Sequence, residues 1–392
     1  MESQDFSYEQ LLGIISDKYN QAFSDIGKCN ILIIGKTGVG KSTLINAVFR
    51  EPLAQTGVGN PITQDIRQYS KDGFPITVYD SPGLEIDGDQ LKRIVKDVSN
   101  LIEKNTYNVK DQIHVVWYCI NHNSNRLEEL ETLWLKSLSE QNNIPVILVV
   151  TQTLDTEGPS EFIAELERNN LPVRQIIPIL AQPKRINSQF TVPQQGLDTL
   201  VDVTVELIPE VAQKAFVNAT KSIQLKARKA SQYVAGYVTG SVLIGASPIP
   251  WSDAPLLATA QIGMLTHITA IFGLSIEQDF MATIVSSLAG VGGTTLLGRA
   301  IVSNLLKMIP GLGTAVGGAI SAGTAAALTS ALGFAYITAL KRYMNAKLKG
   351  QEMSLSDLSK VVMEEYKDYA KSDRKTLKDD DSDDEPRGIP IS

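Results

Sequence analysis

Gly35-Lys36-Thr37-Gly38-Val39-Gly40-Lys41-Ser42 has the G-x-x-x-x-G-K-S spacing of a phosphate-binding loop. Ahead of it, Cys29-Asn30-Ile31-Leu32-Ile33-Ile34 is a short apolar run that reads as a buried strand. Behind it, Ser42 to Phe49 carries apolar residues at helical spacing. Strand, glycine loop and helix in that order form the setting the motif requires. The glycines let the backbone curl so that its N–H groups and the helix N-terminus face a polyphosphate. Lys41 then reaches the β- and γ-phosphates, and the Ser42 hydroxyl ligates Mg²⁺. The contact set expected here is Gly35, Lys36, Thr37, Gly38, Val39, Gly40, Lys41, Ser42 and Thr43. The expected ligand is a nucleoside triphosphate with Mg²⁺.

Further along, strand-like runs at Ile76–Tyr79, Ile113–Ile120, Pro145–Val150 and Gln175–Leu180 alternate with helical stretches near Leu91–Lys104, Leu127–Gln141 and Glu161–Asn169. That alternation predicts a mostly parallel sheet with helices on both faces. Asp80-Ser81-Pro82-Gly83, about 40 residues beyond Lys41, closes what reads as the third strand with a D-x-x-G. There Asp80 can hold Mg²⁺ through water and the Gly83 amide can meet a γ-phosphate. Gly59-Asn60-Pro61-Ile62-Thr63 reads as a turn-rich loop whose threonine can ligate Mg²⁺ when the loop closes. A solvated turn threonine is the other reading of Thr63.

Taken in order, these motifs resemble the GTPases of the translation-factor-related class, near the Era-like and septin-like members. The resemblance covers roughly Cys29 to Leu207, about half the chain. It implies GTP as substrate and GDP as product, with Mg²⁺ as cofactor, Lys41, Thr63 and Gly83 in the catalytic set, and Ser42, Thr63 and Asp80 around the metal. Small Ras-like GTPases carry a water-orienting glutamine after the D-x-x-G glycine, where this chain has Leu84. Intrinsic hydrolysis is therefore expected to be slow, roughly 10⁻⁴ per second by analogy, and to depend on a partner or a dimer mate. The base-reading motif is irregular, since Thr151-Gln152-Thr153-Leu154-Asp155 stands where [N/T]-K-x-D is usual. Gln152 replaces the lysine and the aspartate comes one residue late. If Asp155 reaches the base, its carboxylate accepts from guanine N1–H and the exocyclic amine, which adenine cannot match. Leu180-Ala181-Gln182 is a partial match to the motif that supports guanine O6, with Ala181 as the contact. Gly38 stands where potassium-activated relatives have asparagine, so that activation is not expected. Arg126, in the loop Asn121–Arg126, reads either as a charge offered to a partner's phosphate or as a surface arginine. Dimerisation through this domain, as in septin-like members, is a further implication.

Charge and composition narrow the partners. A net charge of −7 over 392 residues gives no global basic field for nucleic acid. Cys29 and Cys119 lie in apolar runs and read as buried thiols of a reducing compartment. No secretion signal is read, because the first 25 residues are polar and acidic; Phe6, Leu11, Leu12, Ile15, Tyr19 and Phe23 within them mark one face of a helix. That helix reads as packed on the next domain rather than as a membrane anchor.

Composition shifts after Lys229. Between Ala230 and Leu340 the charged residues are Asp253, Glu277, Asp279, Arg299 and Lys307 alone. Small residues dominate, as in Gly311 to Gly318, with Gly313 and Gly317 at a spacing that permits close helix approach. Pro248, Pro250 and Pro255, Gly290 to Gly293, and Ile309-Pro310-Gly311 are expected to interrupt the helices. Asp253 reads as an N-cap and His267 as a satisfied core histidine. The segments are long enough to span a bilayer, yet diluted by Ser, Thr, Gly and Gln. Reversible membrane association, integral hairpins and a soluble bundle all stay open. Ile249 to Leu257 and Ile309 to Gly313 resemble the YcjF-type helical domain of unknown function, whose members are membrane-associated. That resemblance supplies a setting and no chemistry.

The expected layout is an amphipathic helix over 1–28, an α/β P-loop GTPase domain over 29–208 and a connecting helix over 209–229. An all-α, Gly/Ala-rich helical domain over 230–345, a C-terminal helix over 346–370 and a disordered acidic tail over 371–392 follow. The function this implies is a nucleotide-dependent switch on the cytoplasmic face of a membrane. A soluble Era-like GTPase assisting ribosome or RNA assembly, or a GTP-binding scaffold with little turnover, are the alternatives.

Overall fold

The computed structural model describes residues 7–54, 59–61, 66–81, 96–103, 111–124, 126–141, 143–155, 158, 160–244, 254–274, 278–289, 297–308 and 322–380. By internal contacts the chain divides into Ile26–Leu225 and a second unit that joins Met1–Asp25 to Lys226–Ser392.

Strand β1 (Cys29–Gly35) is at the centre of the first unit because it is apolar on both faces and wholly buried. It pairs in parallel with β4 (Ile76–Asp80) and β5 (Val115–Asn121). Strands β6 (Val146–Thr151) and β7 (Gln175–Ile179) extend the parallel ladder. On the far edge, β2 (Gly59–Pro61) and β3 (Arg67–Ser70) run antiparallel, giving the seven-strand order β2-β3-β4-β1-β5-β6-β7. The strand that ends in Asp80 is thus the fourth rather than the third. The Gly59-Asn60-Pro61 stretch expected as a loop is a short edge strand, while Thr63 lies outside the described residues.

Helices cover both faces. Against one face lie a helical stretch over 96–103 (α3), α4 (Glu129–Lys136) and α5 (Glu161–Arg168). Val98, Leu101, Trp134, Leu135, Phe162 and Leu166 from these helices share one core with Leu32, Tyr118 and Leu148 of the sheet. On another cluster, Trp117 stacks on Phe49 at 6.0 Å, and both meet Phe216 edge-on. Trp117 Nε1 finds its acceptor in Thr204 Oγ1 at 3.2 Å. Thr204 and Phe216 belong to α6 (Leu197–Leu207) and α7 (Glu210–Ala219). A short hairpin, β8 (Lys184–Arg185) with β9 (Thr191–Val192), separates β7 from α6.

The connection expected as one helix over 209–229 is two. Thr220 turns extended at φ −70° and ψ 156°, ends α7, and bridges Phe49. Ser222 then accepts from Leu225 N as the cap that starts α8 (Ile223–Ile244). The chain breaks here because Thr220 and Ser222 offer their hydroxyls to the backbone, a competition helix interiors lose.

In the second unit, α1 (Tyr8–Ser24) opens with a Ser7/Gln10 capping box and buries Leu11, Ile15 and Ala22. It packs on α9 (Ala254–Phe272) and α10 (Gln278–Ala289), so its partner is the distant helical half rather than the domain that follows it in sequence. Helix α9 also packs on α11 (Leu297–Met308) and α12 (Ala322–Leu348), and α12 on α13 (Leu355–Asp380). The interruptions expected at Pro248 and Pro250, at Gly290 to Gly293 and at Ile309 to Gly311 lie outside the described residues, as does Asp253. Pro255 instead sits in the first turn of α9, where its missing N–H has no partner to lose. The expected C-terminal helix over 346–370 begins nine residues later and runs to Asp380, into the stretch expected as disordered tail. Helix formers and i,i+3 pairs such as Lys371–Asp368 at 3.8 Å carry it on. His267 is satisfied as expected, with Nδ1 2.8 Å from Tyr237 Oη and 2.9 Å from the Gly263 carbonyl.

Candidate functional site: the phosphate loop and the base-side loops

Between β1 and α2 (Lys41–Val48) the loop turns on left-handed glycines. Gly40 is the helix N-cap at φ 104° and leaves the helix without a side-chain cap. A Cβ on Gly35 would stand 2.3 Å from the Cys119 carbonyl, so only glycine lets the loop leave β1 against β5. The first N–H groups of α2 therefore have no intrahelical acceptor and no capping side chain, which suits an anion. Thr37, Gly38 and Ser42 are exposed along this rim, while Val39 is buried beneath it.

Lys41 Nζ donates to the carbonyls of Gly35 at 2.8 Å and Lys36 at 3.3 Å. It stands 3.9 Å from Asp80 Oδ1 at the carboxyl end of β4, with both side chains largely buried. That oxygen accepts no hydrogen bond among the described residues. Burial pushes the Asp80 carboxyl up to about 6, with Lys41 and Arg67 pulling against it. A buried carboxylate with an oxygen that accepts no hydrogen bond among the described residues, facing a lysine beneath an anion cradle, fits a Mg²⁺–triphosphate, with Asp80 and Ser42 as the residues that would hold the metal. Gly83 and Leu84 lie outside the described residues, as Thr63 does.

Lys36, expected on the ligand, ion-pairs with Glu128 at 2.6 Å, tying the loop to the cap of α4. Thr151 is buried, and its hydroxyl lies 2.6 Å from the Val39 carbonyl and 3.0 Å from that of Ile120. It therefore pins the phosphate loop to the ends of β5 and β6. Gln152, in the left-handed region at φ 58°, reaches the Gly38 carbonyl with Nε2 at 3.3 Å, from the place the motif gives to lysine.

Asp155, the expected base reader, is held through one carboxylate oxygen. Its Oδ2 accepts from Ser160 N at 3.0 Å, at the cap of α5, and lies 3.4 Å from His122 Nε2. Gln195 Nε2 donates to the carbonyls of Thr153 and Asp155, fastening the same loop from the α6 side. His122, Ser160, Gln195 and Glu128 were not singled out by the sequence. Ser160-Glu161 carries the signature of a helix cap, but the contacts with His122 and Gln195 span 38 and 40 residues and leave no local trace. Ala181, following β7, is half-buried, and Arg126 is exposed near Glu128. Both cysteines are free and buried; burial pushes the Cys119 thiol up to about 12 and Cys29 higher still, so neither is a ready nucleophile.

Residues 30–152 match the family described as 50S ribosome-binding GTPase, and residues 212–369 match a domain of unknown function, DUF697. Human Septin-9 is 25% identical over 200 residues, covering 43% of this chain and 34% of that protein. Cell division control protein 10 of Candida albicans is 29% identical over 161 residues, covering 34% of this chain and 44% of the relative. The chain thus spans less than half the length of either. Among solved structures, a probable GTP-binding protein engB aligns at 20% identity and TM-score 0.33, covering 46% of this chain and 98% of that one. The chain joins a P-loop domain of the 50S ribosome-binding GTPase family to a helical domain of the DUF697, or YcjF, type.

Proposed function

We propose that the protein is a guanine-nucleotide switch with slow intrinsic hydrolysis, whose helical unit reads the nucleotide state at a membrane. The observation that carries the nucleotide half is Asp80 Oδ1, buried beneath the phosphate loop without a hydrogen bond among the described residues and 3.9 Å from Lys41 Nζ. Leaving a carboxylate so poorly satisfied costs on the order of 1–3 kcal/mol, which a bound cation would offset. Mg²⁺ would supply charge neutralisation at the β- and γ-phosphates. Lys41 would exchange its two carbonyl contacts for phosphate oxygens. Thr63 and Gly83 would close on the γ-phosphate and let go after hydrolysis. With leucine at position 84 the chain has no glutamine there to orient water, so turnover waits on a partner or a second copy meeting the nucleotide face.

Support for the membrane half is compositional. Pro255–Phe272 and Gly323–Leu348 have mean hydropathy 1.3 and 1.4 and the length to cross a bilayer. In this fold 78% and 61% of those stretches are buried within the helical unit. That favours a packed domain which associates reversibly over one inserted permanently. The acidic overall charge disfavours the ribosome or RNA reading, despite the family's description. The test is GTP turnover by the full chain with and without liposomes. Slow basal hydrolysis that rises with lipid is the expected result. Tight GTP binding with no turnover in either condition would make the protein a scaffold.

A further inference from the structure

His122, Ser160 and Asp155 are the residue types of a nucleophilic triad, but their geometry excludes that chemistry. Ser160 Oγ, at 2.8 Å, and Asp155 Oδ2, at 3.4 Å, meet the same ring nitrogen, Nε2. No proton can pass through the imidazole from one to the other. What the arrangement does is hold a carboxylate still. His122 leaves β5 in a one-turn 3₁₀ helix and sets its ring edge-on against Phe162 of α5 at 6.3 Å. A carboxylate oxygen beside Nε2 favours the tautomer with the proton there, since a bare lone pair would repel it. Asp155 Oδ2 thus accepts from Ser160 N and has His122 Nε2 3.4 Å away on its other side, a polar contact beside the hydrogen bond that Nε2 shares with Ser160 Oγ, while Oδ1 is not engaged by any described residue.

We propose that His122 is a positioning residue for base selectivity, clamping Asp155 Oδ2 so that Oδ1 is presented to the guanine N1–H and amine. This rests on the reading that Asp155 recognises guanine. The irregular motif explains why a clamp is needed. Asp155 arrives one residue later than in [N/T]-K-x-D, so the loop alone does not fix its side chain. The two backbone contacts from Gln195 hold the main chain of that loop, and His122 with Ser160 holds the carboxylate. An aspartate so fixed meets a donor edge without losing side-chain freedom on binding, and its negative oxygen repels the N1 lone pair of adenine.

The experiment is a competition titration on the full chain with Mg²⁺, comparing GTP, ATP, XTP and inorganic triphosphate for wild type, His122→Ala, His122→Gln and Asp155→Asn. His122→Ala is expected to weaken GTP by about tenfold, roughly 1.4 kcal/mol, with ATP and inorganic triphosphate unchanged. His122→Gln places an amide N–H where Nε2 stands and is expected to restore most of the GTP preference. A purely structural role would weaken all four ligands together and gain nothing from glutamine. Asp155→Asn tests the underlying reading, by moving preference from GTP towards XTP. If it leaves the ranking of bases unchanged, Asp155 does not read guanine and both claims fall. If it shifts the ranking while His122→Ala leaves the GTP-to-ATP ratio unchanged or raises it, the positioning role alone is overturned.

Discussion

A single buried oxygen sets the character of the phosphate site. The Asp80 carboxyl is pushed up to about 6 in the folded chain, above its unfolded value near 3.9. The native state therefore holds a proton that the unfolded state has released, and this group's contribution to stability falls as pH rises from about 4 through 6. At pH 7, without nucleotide, the charged Asp80 costs on the order of 2–3 kcal/mol. Asp80→Asn should accordingly raise the melting temperature of the nucleotide-free protein at pH 7, and leave it little changed at pH 4. The same variant should lose Mg²⁺-dependent triphosphate binding. Thermal unfolding at the two pH values, beside a Mg²⁺ titration of nucleotide affinity, checks both halves. Thr151 makes a second residue-scale case. Thr151→Val keeps the shape but removes the hydroxyl from the Val39 and Ile120 carbonyls, at about 1–3 kcal/mol. Because one of those carbonyls belongs to the phosphate loop, GTP, ATP and inorganic triphosphate should all weaken alike. A change confined to GTP would mean that Thr151 touches the base instead.

At the scale of elements, the second unit depends on close approach between helices. A Cβ on Gly333 of α12 would stand 2.6 and 2.8 Å from the two methyl carbons of Val234 on α8, and 3.1 Å from Met264 Sδ. Valine has one favoured rotamer in a helix and cannot swing clear, so Gly333→Ala should destabilise the helical unit by about 1–3 kcal/mol. Gly236 on α8 is the control, since its added Cβ meets nothing within 4 Å. Gly236→Ala should be neutral or stabilising by up to about 1 kcal/mol. Chemical denaturation of both variants reads the difference. Elements also mark where sequence reading stops. The phosphate loop and the parallel strands were legible because their signals are local, with fixed spacing in the loop and runs of Ile, Leu and Val in β1, β5 and β6. The β2–β3 edge was not, because Gly59-Asn60-Pro61 spells a turn and becomes a strand only by pairing with β3. The amphipathic face of α1 was legible, but a stripe of Leu11 and Ile15 says that a helix is covered and not by what. The His122–Asp155 contact was invisible for the same reason, since tertiary packing alone brings it together.

For the whole molecule, the helical domain is expected to respond to the nucleotide. Flotation of the full chain with anionic liposomes should differ between a non-hydrolysable GTP analogue and GDP. Equal membrane fractions in the two states would end the coupling while leaving nucleotide binding intact. Everything else depends on the first unit binding guanine nucleotide through its phosphate loop. The most direct test is a calorimetric titration of GTP and ATP in parallel, with Mg²⁺, into wild type and Lys41→Ala. Binding of GTP at least tenfold tighter than ATP, roughly 1.4 kcal/mol, and lost in Lys41→Ala is the expected result. Equal binding of the two nucleotides, or binding that survives the loss of the lysine, would contradict it.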